Sequence, residues 1–188
     1  INHDLIGYTE LETSSIVLDA TWDLGHGIVT TIEGYRDVEY NSSTDFDGTP
    51  FTIFHFNDNK EEQDQTSIEV RYSSTFSDRF NFVVGVNQFQ QEYSIGERRN
   101  FFIALNAATY SETEHDTFGV FGEINFNVTD ALSLTAGGRW TKEEKSIDIG
   151  ILGSCELDFS SCTNNASNEK DWSNFSPKVS AQYRFTDD

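Results

Sequence analysis

The sequence predicts an all-β fold: an antiparallel up-and-down meander of about seven long strands, forming part of the wall of a large transmembrane β-barrel. Three observations predict it. Apolar and polar residues alternate with a period of two, the signature of a pleated strand whose side chains leave opposite faces in turn. The alternating runs exceed the ~5–6 residues of an ordinary soluble strand and reach the ~9–11 of a membrane-crossing one. The polar stretches between them are short and long by turns.

The pattern is plainest in Thr117–Thr141. Phe118, Val120, Gly122, Ile124, Phe126 and Val128 point one way, and Gly119, Phe121, Glu123, Asn125 and Asn127 the other. After a tight turn at Thr129-Asp130-Ala131, Leu132, Leu134, Ala136, Gly138 and Trp140 share a face opposite Ser133, Thr135, Gly137 and Arg139. So short a turn joins only antiparallel strands.

The other elements follow in order. Leu11–Trp22 is a strand with Ile16, Leu18, Ala20 and Trp22 on one face. Residues 23–27 are a turn with Gly25 and Gly27 for positive φ. Ile28–Tyr40, Asp64–Ser74 and Phe80–Tyr93 are further strands, the last two joined by a turn at 76–79. Trp172–Phe185 is the seventh, with Phe175, Pro177, Val179, Ala181, Tyr183 and Phe185 together. Long loops are expected at 41–63, 94–116 and about 150–171, with a short helix or strand inside Asn100–Tyr110. A soluble β-sandwich also alternates. It has no reason to gather its long loops at one end, nor to flank its short turns with Trp22, Tyr72, Phe76, Phe80, Phe126 and Phe185, as an interfacial aromatic girdle would.

Composition narrows the function. A net charge of −20 excludes nucleic acid as a partner, since phosphates would be repelled. It disfavours docking on anionic lipid. Aromatics at 14% exclude a disordered acidic tail. No apolar run approaches the ~20 residues of a membrane helix, so any span is by strands. The sequence contains no Met and opens on Ile1, without an initiator or signal-peptide pattern, so it is expected to be processed, cut or only partly seen.

Candidate chemistry is sparse. The histidines His3, His26, His55 and His115 are scattered, and each reads as a solvated loop residue. No G-x-S-x-G motif occurs, and no enzyme is predicted. No cofactor is expected, with calcium as the one candidate ion. The acidic group Asp45, Asp47, Asp58, Glu61 and Glu62 offers hard oxygens, and Asp45, Asp47 and Glu61 are the candidate calcium ligands. A solvated acidic loop is the plainer alternative. Phe51, Phe54 and Phe56 are candidates for contacting a ligand or for packing on a neighbouring loop. Arg71, Glu123, Arg139, Lys178 and Arg184 would line the barrel lumen. Cys155 and Cys162, close together in a Ser/Asn-rich stretch, read as a local disulfide rather than a metal site.

FGEINFNVTDALSLTAGGRWTKEEKSI, followed by WSNFSPKVSAQYRFTDD, resembles the barrel of TonB-dependent outer-membrane receptors. The resemblance is carried by Thr129, Asp130, Leu132, Leu134, Gly138, Arg139, Thr141, Glu144 and Lys145, then by Phe175, Pro177, Lys178, Tyr183, Thr186 and Asp187. TTIEGYRDVEYNSSTDFDGTP and DQTSIEVRYSS look like an upstream hairpin of the same barrels. The resemblance implies a segment of a receptor in the outer membrane of a Gram-negative bacterium that imports a scarce nutrient: a ferric siderophore, a vitamin or an oligosaccharide. It implies as partners outer-membrane lipid, the rest of the barrel, a plug domain and a periplasmic TonB-type energy-coupling protein. Such transporters have 22 strands around a plugged lumen, so 1–188 is expected to be a partial barrel domain without its plug. Two unpaired edge strands leave a second reading, a fragment that self-assembles edge to edge into an extracellular fibre.

Overall fold

The computed structural model describes residues 3–102, 105–155 and 161–185. Seven strands form one antiparallel sheet in sequence order. They are β1 (Tyr8–Asp23), β2 (Gly27–Asp45), β3 (Phe54–Ser74), β4 (Phe80–Phe101), β5 (Leu105–Asn127), β6 (Leu132–Gly150) and β7 (Asn165–Tyr183). Among the described residues each strand pairs only with its neighbours in sequence, from Trp22 opposite Val29 to Leu132 opposite Tyr183.

The first two expected long loops, 41–63 and 94–116, are mostly strand, and the third is strand at its end. Residues 41–45, 54–63, 94–101 and 105–116 are laddered, as are 142–150 and 165–171. In these stretches polar residues predominate and the apolar ones do not alternate regularly, so they read as loop. Backbone pairing does not need it: Phe101 opposite Leu105 and Gly150 opposite Asn165 continue the registers begun far below. The asymmetry between the two ends persists in another form. At one end the strands are joined by 24–26, 75–79 and 128–131; at the other they run well past the apolar zone.

The turns are built locally. Gly25 adopts φ 81° and donates its N–H to Asp23 Oδ1 at 2.7 Å. Gly27, expected to share that role, is instead the first residue of β2, and the Tyr72 ring lies where its Cβ would be. Thr129 Oγ1 accepts the N–H of Leu132 at 3.0 Å.

The register sorts the side chains into two faces. On one lie Ile16, Leu18 and Trp22; Val29 and Tyr35; Ile68, Val70 and Tyr72; Phe80, Phe82, Val84 and Val86; Phe118, Val120, Ile124 and Phe126; Leu134 and Trp140; Phe175, Val179 and Tyr183. On β5 this apolar zone runs from Phe118 to Phe126, nine residues, within the ~9–11 of a transmembrane strand. The sheet is a single layer. Among the described residues only Ala108 and Cys155 are buried apolar residues, whereas Val84, Val120, Ile124 and Val179 stay 40% or more exposed. A globular domain buries its apolar face under a second layer; this one presents it outward as a continuous band.

Candidate functional site

The lower edge of the band is aromatic, as expected. His26 packs on Tyr72 and Phe76, Phe82 on Tyr72 and Phe76, and Phe185 on Tyr183. The upper edge carries a second girdle that the sequence reading missed: Tyr35, Phe118, Trp140 and Phe175. Phe118 meets Trp140 edge-on at 6.3 Å, and Phe175 lies opposite Trp140. These residues sit in mid-strand, away from any turn; the register pairs Trp140 with Phe175 and sets Phe118 two residues and Tyr35 four residues further along. Directly above them the same face turns acidic. Asp37, Asp64, Glu92 and Glu114 stand in one row across β2–β5.

The opposite face is polar and bonded across strands. Lys178 on β7 donates to Glu123 Oε2 on β5 at 2.5 Å, spanning β6. Arg139 Nη2 reaches from β6 over β5 to Asn87 Oδ1 on β4, 3.0 Å away. Arg71 pairs with Glu69 at 3.7 Å on this face. Arg184 follows β7, its N–H donating to the Ala131 carbonyl at 2.8 Å.

The far end of the β2–β3 hairpin is the most organised part. Asp47 holds its connection, 46–53, together. Its Oδ1 accepts from the Thr49 hydroxyl (2.6 Å) and N–H (3.0 Å). Its Oδ2 accepts from Phe54 N–H (2.7 Å) and Ile53 N–H (3.2 Å). These donors, the Thr49 hydroxyl foremost, hold the Asp47 carboxyl down at about 2. Two irregularities in register, between Ser42 and Thr44 and between Asn57 and Lys60, place one extra residue in β3, with Asp58 at φ 50°. One extra residue moves everything beyond it to the other face.

Phe54 and Phe56 therefore lie on the polar face. There they cluster with Phe46 and Phe101, Phe54 stacking on Phe101 at 4.8 Å. The Arg99 guanidinium sits 5.3 Å from the Phe56 ring centroid and bonds Glu97 at 2.5 Å, while Arg99 Nε is buried without a hydrogen-bond partner. Phe51 stands apart from this cluster, 67% exposed.

His55 lands on the outward face, opposite Asp45. It is buried, not solvated as expected, with Nε2 2.9 Å from Asp4 Oδ1 and 3.9 Å from both Asp45 Oδ1 and Asp47 Oδ2. Of the three candidate calcium ligands, Asp45 and Asp47 are thus brought together. Glu61 is not: it lies on the opposite face and accepts from Tyr93 Oη at 2.8 Å. Cys155 and Cys162 are joined as a disulfide, with Cys155 bridging to Ala108 of β5.

A one-layer sheet with an outward apolar band, two aromatic girdles and a polar inner face is the wall of a membrane-spanning β-barrel. The chain belongs to the TonB-dependent receptor family: the TonB dependent receptor-like, beta-barrel family model matches residues 2–188. Two solved structures are similar in fold. The ferric yersiniabactin uptake receptor FyuA from Yersinia pestis superposes with a TM-score of 0.77 at 16% identity, over 97% of this chain and 27% of that one. The ferric-catecholate import receptor Fiu from E. coli K12, in its open form, gives 0.57 at 11% identity, over 96% and 34%. The chain thus spans about a quarter to a third of these receptors. No curated protein matches it in sequence.

Proposed function

We propose that the chain is a wall segment of an outer-membrane receptor of a Gram-negative bacterium, and that the receptor imports a ferric siderophore. The apolar band between its two girdles supports the membrane reading: it matches a bilayer in height and finds no protein cover in the sheet itself. β1 and β7 carry unpaired backbone edges, which lipid cannot satisfy. In this reading they pair with adjoining strands of the same barrel, whose plug and energy-coupling contacts lie elsewhere in the receptor. The polar face then lines the lumen. Phe46, Phe54, Phe56 and Phe101 beside Arg99, on that face at the extended end, suit an anionic ligand bearing aromatic rings. The names of FyuA and Fiu, both ferric-chelate receptors, favour the same class.

The test is radiolabelled iron uptake by cells whose only siderophore receptor is the full-length protein. Arg99→Ala and Phe56→Ala should each weaken ligand affinity about tenfold, near 1.4 kcal/mol, with surface abundance unchanged. Unaltered uptake in both variants sinks the ligand assignment. Filaments in place of single detergent-solubilised particles would sink the receptor reading in favour of edge-to-edge assembly.

A further inference from the structure

We propose that Asp4, Asp45 and His55 form a binding site for a divalent transition-metal ion of the zinc class, with His3 at its mouth. The site does not depend on which nutrient the receptor carries. Its residues come from three places in the chain: the segment before β1, the end of β2 and the start of β3. One donor atom from each of Asp4, Asp45 and His55 lies within 4.8 Å of the others. Two ligands bound ~2.1 Å from a tetrahedral ion sit about 3.4 Å apart. The separations around His55 Nε2, 2.9 Å to Asp4 Oδ1 and 3.9 Å to Asp45 Oδ1, straddle that value, and Asp45 Oδ2 is the other oxygen of the same carboxylate.

Two further observations point to a cation. The side chain of Asp45 is only 4% exposed; its Oδ1 accepts the Gly48 N–H at 2.8 Å, but its Oδ2 accepts no hydrogen bond. The half-exposed His3 imidazole places Nδ1 3.4 Å from that oxygen. Buried carboxylate oxygens are paired or bind metals. In addition, three carboxylates, those of Asp4, Asp45 and Asp47, converge on the single imidazole of His55, itself 5% exposed. This gathering of carboxylates around one imidazole is a concentration of negative charge that a divalent ion offsets.

The donor set selects the ion. Calcium takes about six to eight oxygens, and Asp47, which would have to supply some, already spends both of its oxygens on the 46–53 connection. Imidazole nitrogen with two carboxylates suits zinc and its first-row neighbours. Asp47 is a positioning residue: it shapes the turn that sets Asp45 against His55. A bound ion would brace the hairpin end whose other face carries the Phe54–Phe56–Arg99 cluster.

The full-length protein, purified in detergent and stripped with chelator, is dialysed against Zn²⁺, and the metal per chain is counted by mass spectrometry. The expected result is one zinc more per chain in wild type than in Asp45→Asn or His55→Ala, with Glu61→Gln retaining it. Asp4→Asn, in the segment before the sheet, tests the site without emptying a buried position and should weaken binding at least tenfold. Co²⁺ should give a visible d–d absorption that His55→Ala abolishes. Equal zinc content in wild type, Asp45→Asn and Asp4→Asn overturns the proposal. So does full displacement of zinc by millimolar Ca²⁺.

Discussion

Lys178 on β7 bonds Glu123 on β5 across the whole width of β6, and the residue it passes over is Gly137. A Cβ on Gly137 would press on the Gly122 carbonyl, 2.6 Å away, and on Glu123. Arg139 crosses β5 in the same manner above Gly119, reaching Asn87. The glycines of the polar face clear a path for long cationic side chains, and the resulting bonds tie strands that do not touch through their backbones.

Gly137→Val should destabilise the barrel more than loss of either ion-pair partner. The valine meets backbone, which cannot move aside, so a cost of about 1–3 kcal/mol is expected. Lys178 is 60% exposed, so Lys178→Met should cost less than about 1 kcal/mol. Urea unfolding of the full-length protein in micelles, followed by tryptophan fluorescence, gives the ranking. A larger loss in Lys178→Met would show that the glycine path is incidental.

The assignment of faces makes a separate prediction. Val84 lies near the middle of the apolar band, level with Gly122 and Gly138. Val84→Arg should cost about 2–4 kcal/mol in a bilayer. Asn125→Arg, on the polar face, should be nearly neutral. Refolding into lipid vesicles measures both, and equal penalties would overturn the two-face assignment.

Much of this was legible in the sequence. Where one face is apolar, alternation located each strand and its facing, and the short turns at 76–79 and 129–131 followed from their residues. Legibility failed where the strands leave the band. Between 94 and 116 the apolar residues no longer alternate with polar ones, and only backbone pairing identifies the strand. It failed again at the extra residue of β3. Counted straight up from Ser67 and Glu69, His55 would share their polar face and Phe54 and Phe56 would lie opposite; Asp58 at φ 50° reverses this. Asp58 tolerates positive φ, but so do Asn57 and Asn59 beside it, so neither the place of the slip nor the meeting of His55 with Asp45 could be read. Asp4 is 51 residues from His55 in sequence and reaches it only through the fold.

Removing the disulfide should act locally. Closing a loop of separation seven restricts the unfolded chain by about 2.5 kcal/mol on the entropic model. Cys155 bridges to Ala108, so the loss should fall on the connection after β6 and the upper end of β5. Hydrogen exchange in Cys155→Ser should quicken there and stay unchanged in the short-turn half of β1–β3. Uniform quickening would mean that the bond supports the whole sheet.

Asp47 should govern the order of the β2–β3 connection and its response to acid. Its carboxyl is held at about 2 by the Thr49 hydroxyl and the N–H groups of Phe54, Thr49 and Ile53. An unfolded aspartate titrates near 3.9. A depressed folded value means that the stabilisation is fully present above the unfolded value and is lost as pH falls through the folded one. The connection should therefore keep its protected Ile53 and Phe54 amides from neutral pH down to about 4, and release them as pH drops toward 2. In Asp47→Ala the same amides should exchange rapidly at neutral pH, and proteolysis should cut within 46–53, while the strands below remain protected. Exchange at single-amide resolution decides the matter: protection that persists in the variant would mean that the turn is held by its neighbours and not by this carboxylate.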